Sequence, residues 1–263
     1  SYVSLSSFFM FRFSSDVNDN EADLKVMTYN VRGFNKYAWS KDATLGDQII
    51  DFIKEENPDV LCLQEFSRIR YKQLKQYKYS FVSPNTTVQK SIQAIYSKYP
   101  IVNKGVLNFP NSVNNAMFVD IVIKKDTIRI YNLHIESLKV TPDPEVLAQE
   151  ASSKLYKRLS TSFIKQQQQA EVVAEHKKTT THKIIITGDF NSTQYSNVYK
   201  TIRGDLQDTF QEKGSGYGRT YNFKYYPVRI DFILVDKSYE VVSHQNYDAK
   251  LSDHFPVMTS VNF

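Results

Sequence analysis

The segment Lys183–Asn191, KIIITGDFN, constrains the fold more than any other stretch of this sequence. Its three consecutive isoleucines, Ile184–Ile186, form a β-branched run that is typical of a strand buried on both faces. The run ends at Gly188, where the chain can turn tightly, and Asp189 and Asn191 follow. Polar groups at the end of a buried strand are where α/β folds tend to keep their chemistry. An Asx turn is the alternative for GDFN taken alone, so its interpretation depends on the rest of the chain.

The composition permits a substantial core and excludes several classes of protein. The 263 residues are 41% hydrophobic and 14% aromatic, which argues against a largely disordered chain. A formal net charge of +5 is compatible with a phosphate-bearing partner but does not identify one. The single Cys62 lies in the apolar run VLCLQ, so a disulfide framework or a cysteine-based zinc site within the chain is excluded. No run reaches the roughly 18 apolar residues that a membrane span needs.

Residues 1–23 are predicted to be a separate N-terminal segment. Tyr2–Phe13, YVSLSSFFMFRF, is apolar, and an acidic, Asn-rich stretch follows it. An edge strand is the favoured interpretation, and an interfacial segment or the tail of a membrane segment are the alternatives. Since the chain starts at Ser1 and not at Met, we expect residues upstream of it, and membrane association through this end is kept open. The cellular compartment is not predicted.

Residues 24–263 are predicted to form a single domain, because strands outnumber helices and no linker interrupts the chain. The predicted strands are 24–31, 59–64, 80–84, 92–96, 116–123, 127–134, the isoleucine run, 229–235, 239–242 and 257–261. The predicted helices are 43–57 and, as two segments, 142–176, whereas 204–220 is predicted to be a loop. Two packed sheets with helices outside would satisfy the layering rule of an α/β domain.

Polar side chains stand at six ends of the predicted strands. They are Asn30, Glu65, His134, Asp189 with Asn191, Asp231, and Asp253 with His254. Each one alone has an ordinary explanation, as a turn residue, a surface carboxylate or a core histidine. The occurrence of all six together is much harder to explain in that way, so we interpret them as one functional site.

The residue types in this set suit phosphoester hydrolysis. Oxygen ligands such as Glu65, Asp253 and the Asn30 amide suit Mg²⁺, Mn²⁺ or Ca²⁺, and zinc is a less natural alternative. A carboxylate fixes the tautomer of an imidazole, and Asp231 is a candidate partner for His254. A carboxylate near a metal can position and deprotonate water. Metal, imidazole and amide donors around one oxyanion therefore predict a phosphoester hydrolase.

Six short motifs occur in an order that resembles the endonuclease/exonuclease/phosphatase superfamily, of which deoxyribonuclease I is a member. They are YN at Tyr29–Asn30, LQE at Leu63–Glu65, NLH at Asn132–His134, GDFN at Gly188–Asn191, RIDF at Arg229–Phe232 and SDH at Ser252–His254. The resemblance covers residues 24–263. It implies a four-layer sandwich, in which two mixed β-sheets pack face to face and are flanked by helices. It also implies a divalent-metal-dependent phosphodiesterase in which an activated water attacks the phosphorus in line.

The resemblance implies a metal site with three residues. Glu65 would be the principal ligand, and Asn30 and Asp253 would lie beside the ion. Mg²⁺ is the expected cofactor, with Mn²⁺ as an alternative and Ca²⁺ also compatible. We expect a monomer.

The resemblance also implies a catalytic role for five residues. Asp189 would orient or deprotonate the attacking water, and Asn191 would hold a phosphate oxygen. His254, paired with Asp231, would bind or protonate the phosphate. His134 would be the second catalytic imidazole, at the place where deoxyribonuclease-like and sphingomyelinase-like members have one.

The expected substrate is a phosphate ester of nucleic acid or of a phospholipid head group. Abasic-site enzymes usually have Thr-Lys after the metal Glu and a Trp before the Arg of the RIDF-like motif. Here Phe66-Ser67 follows Glu65 and Val228 precedes the Arg, which argues against DNA repair. A phosphomonoesterase of the same superfamily is one alternative. A catalytically silent phosphate-binding protein is the other, but it would be expected to lack a residue of the site.

Overall fold

The computed structural model describes residues 22–84, 91–138, 152–224 and 226–263 of the chain. The predicted edge strand at 2–13 lies outside these residues, and so do residues 142–151 of the predicted helical stretch. The division of the chain near residue 23 therefore stays a prediction. Among the described helices, none combines the length and the apolar character needed to cross a membrane.

Two six-stranded sheets form the centre of the described chain. The first has the order β11-β12-β1-β2-β4-β3 and contains β1 (Leu24–Asn30), β2 (Val60–Gln64), β3 (Tyr79–Val82), β4 (Ala94–Ser97), β11 (Glu240–Asn246) and β12 (Val257–Asn262). The second has the order β5-β6-β7-β8-β10-β9 and contains β5 (Ile101–Asn108), β6 (Asn115–Ile123), β7 (Asp126–His134), β8 (Lys183–Asp189), β9 (Gln207–Asp208) and β10 (Asp231–Val235). Both sheets are mixed, because β1 pairs parallel with β2 and β7 pairs parallel with β8 among antiparallel neighbours.

The two sheets pack face to face around one apolar core. Val26 and Cys62 come from the first sheet, and Ile130 and Ile185 come from the second. All four side chains are fully buried in the same cluster. Cys62 therefore packs as a small hydrophobic residue, as the sequence predicts, and its thiol is free.

Helices cover the outer faces of both sheets. On the first sheet, α1 (Leu45–Glu56) contributes Ile49 to the outer core. On the second sheet, α2 (Ser152–Lys177) contributes Val173, and α3 (Asn197–Arg203) packs beside it. The order helix, sheet, sheet, helix confirms the predicted four-layer sandwich.

The central strands are apolar on both faces because each face meets a different core. In β1, Val26 points to the core between the sheets and Met27 to the core under α1. In β8, Ile185 points to the core between the sheets and Ile186 to the core under α2. Successive side chains of a strand point to opposite faces, so a continuous apolar run is what such a position requires.

Among the strands and α-helices, four elements were missed by the predictions, because they depend on local or tertiary features that periodicity does not reveal. β5 is an edge strand whose mixed, mostly exposed pattern lacks an apolar face. The short helix α3 starts at a capping contact, in which Ser196 Oγ accepts from Tyr199 N at 3.0 Å. The prediction of a loop over 204–220 is wrong in part, because β9 and a further short helix, α4 (Thr209–Lys213), lie within it. The side chain of Asp208 caps α4 by accepting from Phe210 N at 3.0 Å.

Some element boundaries also differ from the predictions. Over its described residues, the stretch predicted as two helices is the single helix α2. The strand predicted at 229–235 begins at Asp231, and the strand predicted at 239–242 continues to Asn246. The hairpin predicted from 116–134 is confirmed, with Ile123 paired to Asp126 across its turn.

The register of the second sheet brings polar residues together at one edge. Asp189 of β8 is paired with His134 of β7 on one side and with Asp231 of β10 on the other. This close pairing requires Gly188, whose φ is +128°, because a Cβ there would collide with the backbone carbonyl oxygen of Leu133. Gly188 thus allows two strands to approach each other, which is a different role from the tight turn that the sequence suggests.

Candidate active site

The predicted site residues meet where the ends of β1, β2, β7, β8 and β10 converge. A single amide connects the two sheets at this point. Asn30 Nδ2, at the end of β1, donates to Asp189 Oδ2 of β8 at 3.1 Å and to Glu65 Oε1 beyond β2 at 3.4 Å. Asn30 and Asp189 are each only 1% exposed, so the hydrogen bond between them forms away from bulk water. In such surroundings a paired polar group is held firmly, since an unpaired one would be costly.

Two histidines face the buried Asp189 carboxylate. The Nε2 atoms of His134 and His254 both lie 3.7 Å from Asp189 Oδ2. The other ring nitrogen of His254 is 2.9 Å from Asp231 Oδ2, as predicted for this pair. The other ring nitrogen of His134 is 3.0 Å from Ser91 Oγ. Each imidazole is therefore oriented by a second partner, which is how a catalytic tautomer is fixed.

The two imidazoles differ in charge. Burial alone would lower the pKa of His254, but the carboxylates of Asp231 and Asp189 outweigh burial and raise that pKa to about 10. His254 is thus an imidazolium at neutral pH. Burial lowers the pKa of His134 despite the opposing charge of Asp189, so His134 is a neutral imidazole. A site with one charged and one neutral imidazole can both neutralise an anion and exchange a proton.

The pKa of the Asp189 carboxyl group is raised toward neutral pH. Burial, its largest influence, raises the pKa of Asp189 to about 6 with help from Asp231, although the two histidines lower it. A carboxylate with a raised pKa is a stronger base than an ordinary one, which suits proton abstraction from water.

Asn191 supports Asp189 directly. Its backbone N donates to Asp189 Oδ1 at 2.8 Å, and its Nδ2 donates to Asp189 Oδ2 at 3.2 Å and to Ile135 O at 2.9 Å. The backbone contact is an Asx turn, which is the alternative given for GDFN taken alone, and the same turn holds the Asp189 carboxylate at the edge where the candidate residues meet. The predicted role of Asn191 in holding a phosphate oxygen stays a prediction.

Backbone strain occurs at three positions of the site. Three residues other than glycine that follow strands at this edge have left-handed φ values: Arg32 at +43°, Glu65 at +49° and Asn191 at +47°. Each such residue costs on the order of 1–3 kcal/mol, and strain of this kind clusters at functional sites.

The donors at the end of β2 fit a divalent cation. The Glu65 side chain is 40% exposed, so its carboxylate can reach an ion from solvent. The Glu65 carboxylate makes long contacts, at 3.4 Å to Asn30 Nδ2 and 3.9 Å to His134 Nε2. Neither contact is a short ion pair that would compete with a metal. Asp253 is placed differently, because its Oδ2 lies 3.1 Å from Arg32 Nη1. Glu65 would therefore be the principal ligand of Mg²⁺ or Mn²⁺, and metal contacts of Asn30 and Asp253 stay predictions.

A second group of possible ligands lies deeper. Atoms of Asp189, Asp231 and His254 are all within 4.8 Å of one another. However, the two carboxylates hold His254 as an imidazolium, which has no free lone pair for a metal. This group therefore fits a hydrogen-bonded relay, and Glu65 is the candidate metal ligand.

Replacing Glu65 by Gln should weaken Mg²⁺ binding by at least about tenfold, since even residues outside the ligand shell often contribute 10–100-fold. The fold should be unchanged, because the carboxylate is partly exposed and makes only long contacts. Isothermal titration calorimetry with MgCl₂ measures this effect. Glu55→Gln is the matched control, because Glu55 is an exposed residue of α1. Equal Mg²⁺ affinity in the wild type and Glu65→Gln would contradict the metal assignment.

Three residues of the six sequence motifs support the site, although they were not among the predicted site residues. They are Ser252, Gln64 and Asn132. Ser252 Oγ donates to the backbone oxygen of Asn30 at 2.8 Å, which connects the SDH motif to β1. Gln64 Nε2 donates to Asn132 Oδ1 at 2.6 Å, which connects the LQE and NLH motifs across the two sheets. Because these residues belong to the motifs, the sequence could have identified them as part of the site.

Two further residues had no such signal. Gln166 of α2 is fully buried and donates to the backbone oxygens of Glu136 and Asn191 at 2.7 and 3.0 Å. Its position in a run of four glutamines gives no hint of this role. The ring of Tyr221 packs edge-on against His254, with ring centroids 4.9 Å apart. Burial, with the charge of Asp253, raises the pKa of the Tyr221 phenol, which is consistent with its place beside the acidic site.

Comparisons with known proteins agree with this geometry. The profile of the Endonuclease/Exonuclease/phosphatase family matches residues 27–254. A solved member of that family from Bacteroides thetaiotaomicron has 19% identity and a TM-score of 0.69, covering 90% of this chain and 97% of its own. D. rerio TDP2 complexed with a single-strand DNA product has 16% identity and a TM-score of 0.66, covering 91% of this chain and 99% of its own. A mannosyl-6-phosphatase from Bacteroides thetaiotaomicron has 19% identity and a TM-score of 0.66, covering 91% of this chain and 100% of its own. At these identities the structural likenesses show the fold alone. No curated protein sequence matches the chain.

Proposed function

Because the chain belongs to the endonuclease/exonuclease/phosphatase family, we propose that it is a divalent-metal-dependent phosphodiesterase. In this proposal an activated water attacks the phosphorus in line. The observation that supports it most strongly is the environment of Asp189, a buried carboxylate within 3.7 Å of two imidazoles and 3.1 Å of the Asn30 amide. A base, a cation and fixed hydrogen-bond donors thus surround one point, which is the arrangement that phosphoryl transfer needs.

The residues divide the chemistry between them. Asp189 would accept a proton from the attacking water, and its raised pKa favours that step. The His254 imidazolium, held by Asp231, would neutralise a phosphoryl oxygen and can protonate the leaving oxygen. The neutral His134 would donate a hydrogen bond to a phosphate oxygen. A divalent ion held at Glu65 would supply Lewis-acid stabilisation of the developing charge.

Water is the expected nucleophile because Asp189, whose pKa is raised, can serve as its base, and in-line attack by water needs no nucleophilic side chain. The single cysteine, Cys62, is fully buried between the sheets, and burial raises the pKa of its thiol. The Ser252 hydroxyl donates to the backbone oxygen of Asn30, and the Ser91 hydroxyl, 3.0 Å from His134 Nδ1, orients that ring. A covalent enzyme intermediate is therefore not needed.

The proposed substrate class is a phosphodiester of nucleic acid or of a phospholipid head group. The DNA product bound to D. rerio TDP2 supports the first of these for a protein of this fold. The mannosyl-6-phosphatase from Bacteroides thetaiotaomicron, by its name, favours a phosphomonoester as the competing candidate. The sandwich is shared by both relatives, so substrate assays must distinguish them.

Parallel assays with bis(p-nitrophenyl) phosphate and p-nitrophenyl phosphate test this proposal. In Mn²⁺ or Mg²⁺ we expect metal-dependent hydrolysis of the diester, with a higher kcat/KM than for the monoester. A higher kcat/KM for the monoester would make the protein a phosphomonoesterase. Hydrolysis of neither ester would contradict the proposed function. DNA, RNA and sphingomyelin would then narrow the class of diester.

A further inference from the structure

Arg32 is attached to the active site by its backbone and by its side chain. Its backbone N donates to Asn30 Oδ1 at 3.1 Å, and its Nη1 lies 3.1 Å from Asp253 Oδ2. Its φ of +43° is strained for a residue with a side chain. The motif comparison assigns it no role, because the YN motif ends two residues earlier.

The guanidinium is held on two sides. Asp253 pairs with one edge, and the ring of Trp39 lies under its face at 4.8 Å. The side chain nevertheless stays 40% exposed at the mouth of the site. An arginine held in this way loses little freedom when it binds a ligand, and the remaining N–H groups of its planar fork match phosphate oxygens.

The ion pair with Asp253 does not by itself account for the strain. Partly exposed ion pairs contribute little, with a median of about 0–1 kcal/mol, whereas a left-handed residue of this kind costs about 1–3 kcal/mol. The site also carries four carboxylates, on Glu65, Asp189, Asp231 and Asp253, which would repel a phosphate. A fixed cation at the mouth offsets part of that repulsion.

We propose that Arg32, braced by Trp39 and Asp253, is a phosphate-binding residue that takes non-bridging oxygens of the substrate at the mouth of the active site. The inference rests on the proposed function and extends it, because it makes Arg32 a determinant of substrate affinity. The ligand it takes is a phosphate group carrying at least one negative charge.

Titration with inorganic phosphate in the presence of a chelator tests the inference without metal or turnover. Trp39 is the single tryptophan of the chain, so its fluorescence reports on Arg32, and calorimetry gives an independent affinity. We expect Arg32→Gln to bind phosphate about tenfold or more weakly, as the loss of charge-assisted hydrogen bonds predicts. Arg32→Lys should lie in between, because it keeps the charge but loses the fork.

Lys98→Gln is a closely matched control. Lys98 Nζ lies 3.1 Å from Asp59 Oδ1, and the two side chains are 30% and 20% exposed, against 40% and 25% for Arg32 and Asp253. Asp59 precedes β2, so this pair lies at the opposite end of the strand from Glu65. Lys98→Gln removes the same charge and should leave phosphate affinity unchanged.

Kinetics with bis(p-nitrophenyl) phosphate complete the test. Arg32→Gln should raise KM about tenfold and change kcat little, since Arg32 acts in binding. Phosphate affinity in Arg32→Gln equal to that of the wild type, or no phosphate response at all in the wild type, would overturn the inference. If the wild type hydrolyses the diester and Arg32→Gln matches it, only this inference fails. If the wild type hydrolyses no ester, the proposed function fails and the phosphate titration still decides the role of Arg32.

Discussion

Asp189→Asn should lower kcat for diester hydrolysis by about 10²–10⁴-fold and leave KM nearly unchanged. Asp189 is the group toward which Asn30, His134 and His254 are directed, so its loss falls on water activation and not on binding. An asparagine keeps the shape of the side chain and can still contact Asn191, so the fold should be retained. Steady-state kinetics with bis(p-nitrophenyl) phosphate in Mn²⁺ measure the effect, with circular dichroism as the check on folding.

Asp205→Asn is the control for this prediction. The Asp205 side chain is fully exposed, and its ion pair is with Lys237 at 3.6 Å. The same loss of charge should leave kcat at the wild-type value. A rise in KM alone in Asp189→Asn would make Asp189 a binding residue and contradict its assignment as the base.

Asp208→Ala should destabilise the protein by about 3–5 kcal/mol, because it leaves a buried arginine without its partner. Asp208 accepts from Arg229 Nη1 and Nη2 at 2.9 and 2.8 Å and from the Tyr199 hydroxyl at 2.6 Å. The Arg229 guanidinium is sandwiched between the rings of Phe210 and Phe232, at 4.6 and 4.7 Å. This network holds the chain immediately before β10, which carries Asp231. Urea denaturation measures the free energy of unfolding.

The effect should depend on pH in a defined direction. Burial alone would raise the pKa of Asp208, but the charge and hydrogen bonds of Arg229 outweigh it and lower that pKa. The carboxylate therefore stabilises the fold at pH values above the ordinary carboxyl range near about 4, and this contribution disappears as the pH falls through the lowered pKa. The difference between wild type and Asp208→Ala should be largest near neutral pH and shrink in acid.

Asp205→Ala again supplies the control, since an exposed pair contributes only about 0–1 kcal/mol. An equal decrease in the free energy of unfolding for Asp208→Ala and Asp205→Ala would show that the buried Asp208–Arg229 pair does not stabilise this part of the sandwich.

The sandwich was predictable from sequence where a strand has two buried faces. The central parts of β1, β2 and β8 are largely apolar because each strand is covered by a core on both sides. β5, at a sheet edge, was missed because its exposed residues carry no such pattern. The short helices α3 and α4 were missed because single capping residues, and not an apolar repeat, determine where they begin.

The candidate site was predictable where its residues stand at strand ends. The parallel pairing of β7 with β8 brings His134 beside Asp189, and the Asn30 amide connects the end of β1 to the same carboxylate. The contacts of Gln166 and Arg32 were not predictable, because each joins segments that are far apart in the chain. The charge states of the histidines could not be predicted from sequence either. The pKa of His254 is raised because two carboxylates outweigh the effect of burial, and only the folded structure brings these groups together.

Hydrolysis of bis(p-nitrophenyl) phosphate in H₂¹⁸O, with wild type, Glu65→Gln and Asp189→Asn side by side, tests the central claim most directly. Mass spectrometry of the nitrophenyl phosphate product shows where the oxygen of water goes. The proposed mechanism predicts divalent-metal-dependent release by the wild type, one ¹⁸O in the phosphate product, and severe loss of rate in both variants. No metal-dependent release by the wild type, or equal rates in all three proteins, would contradict it.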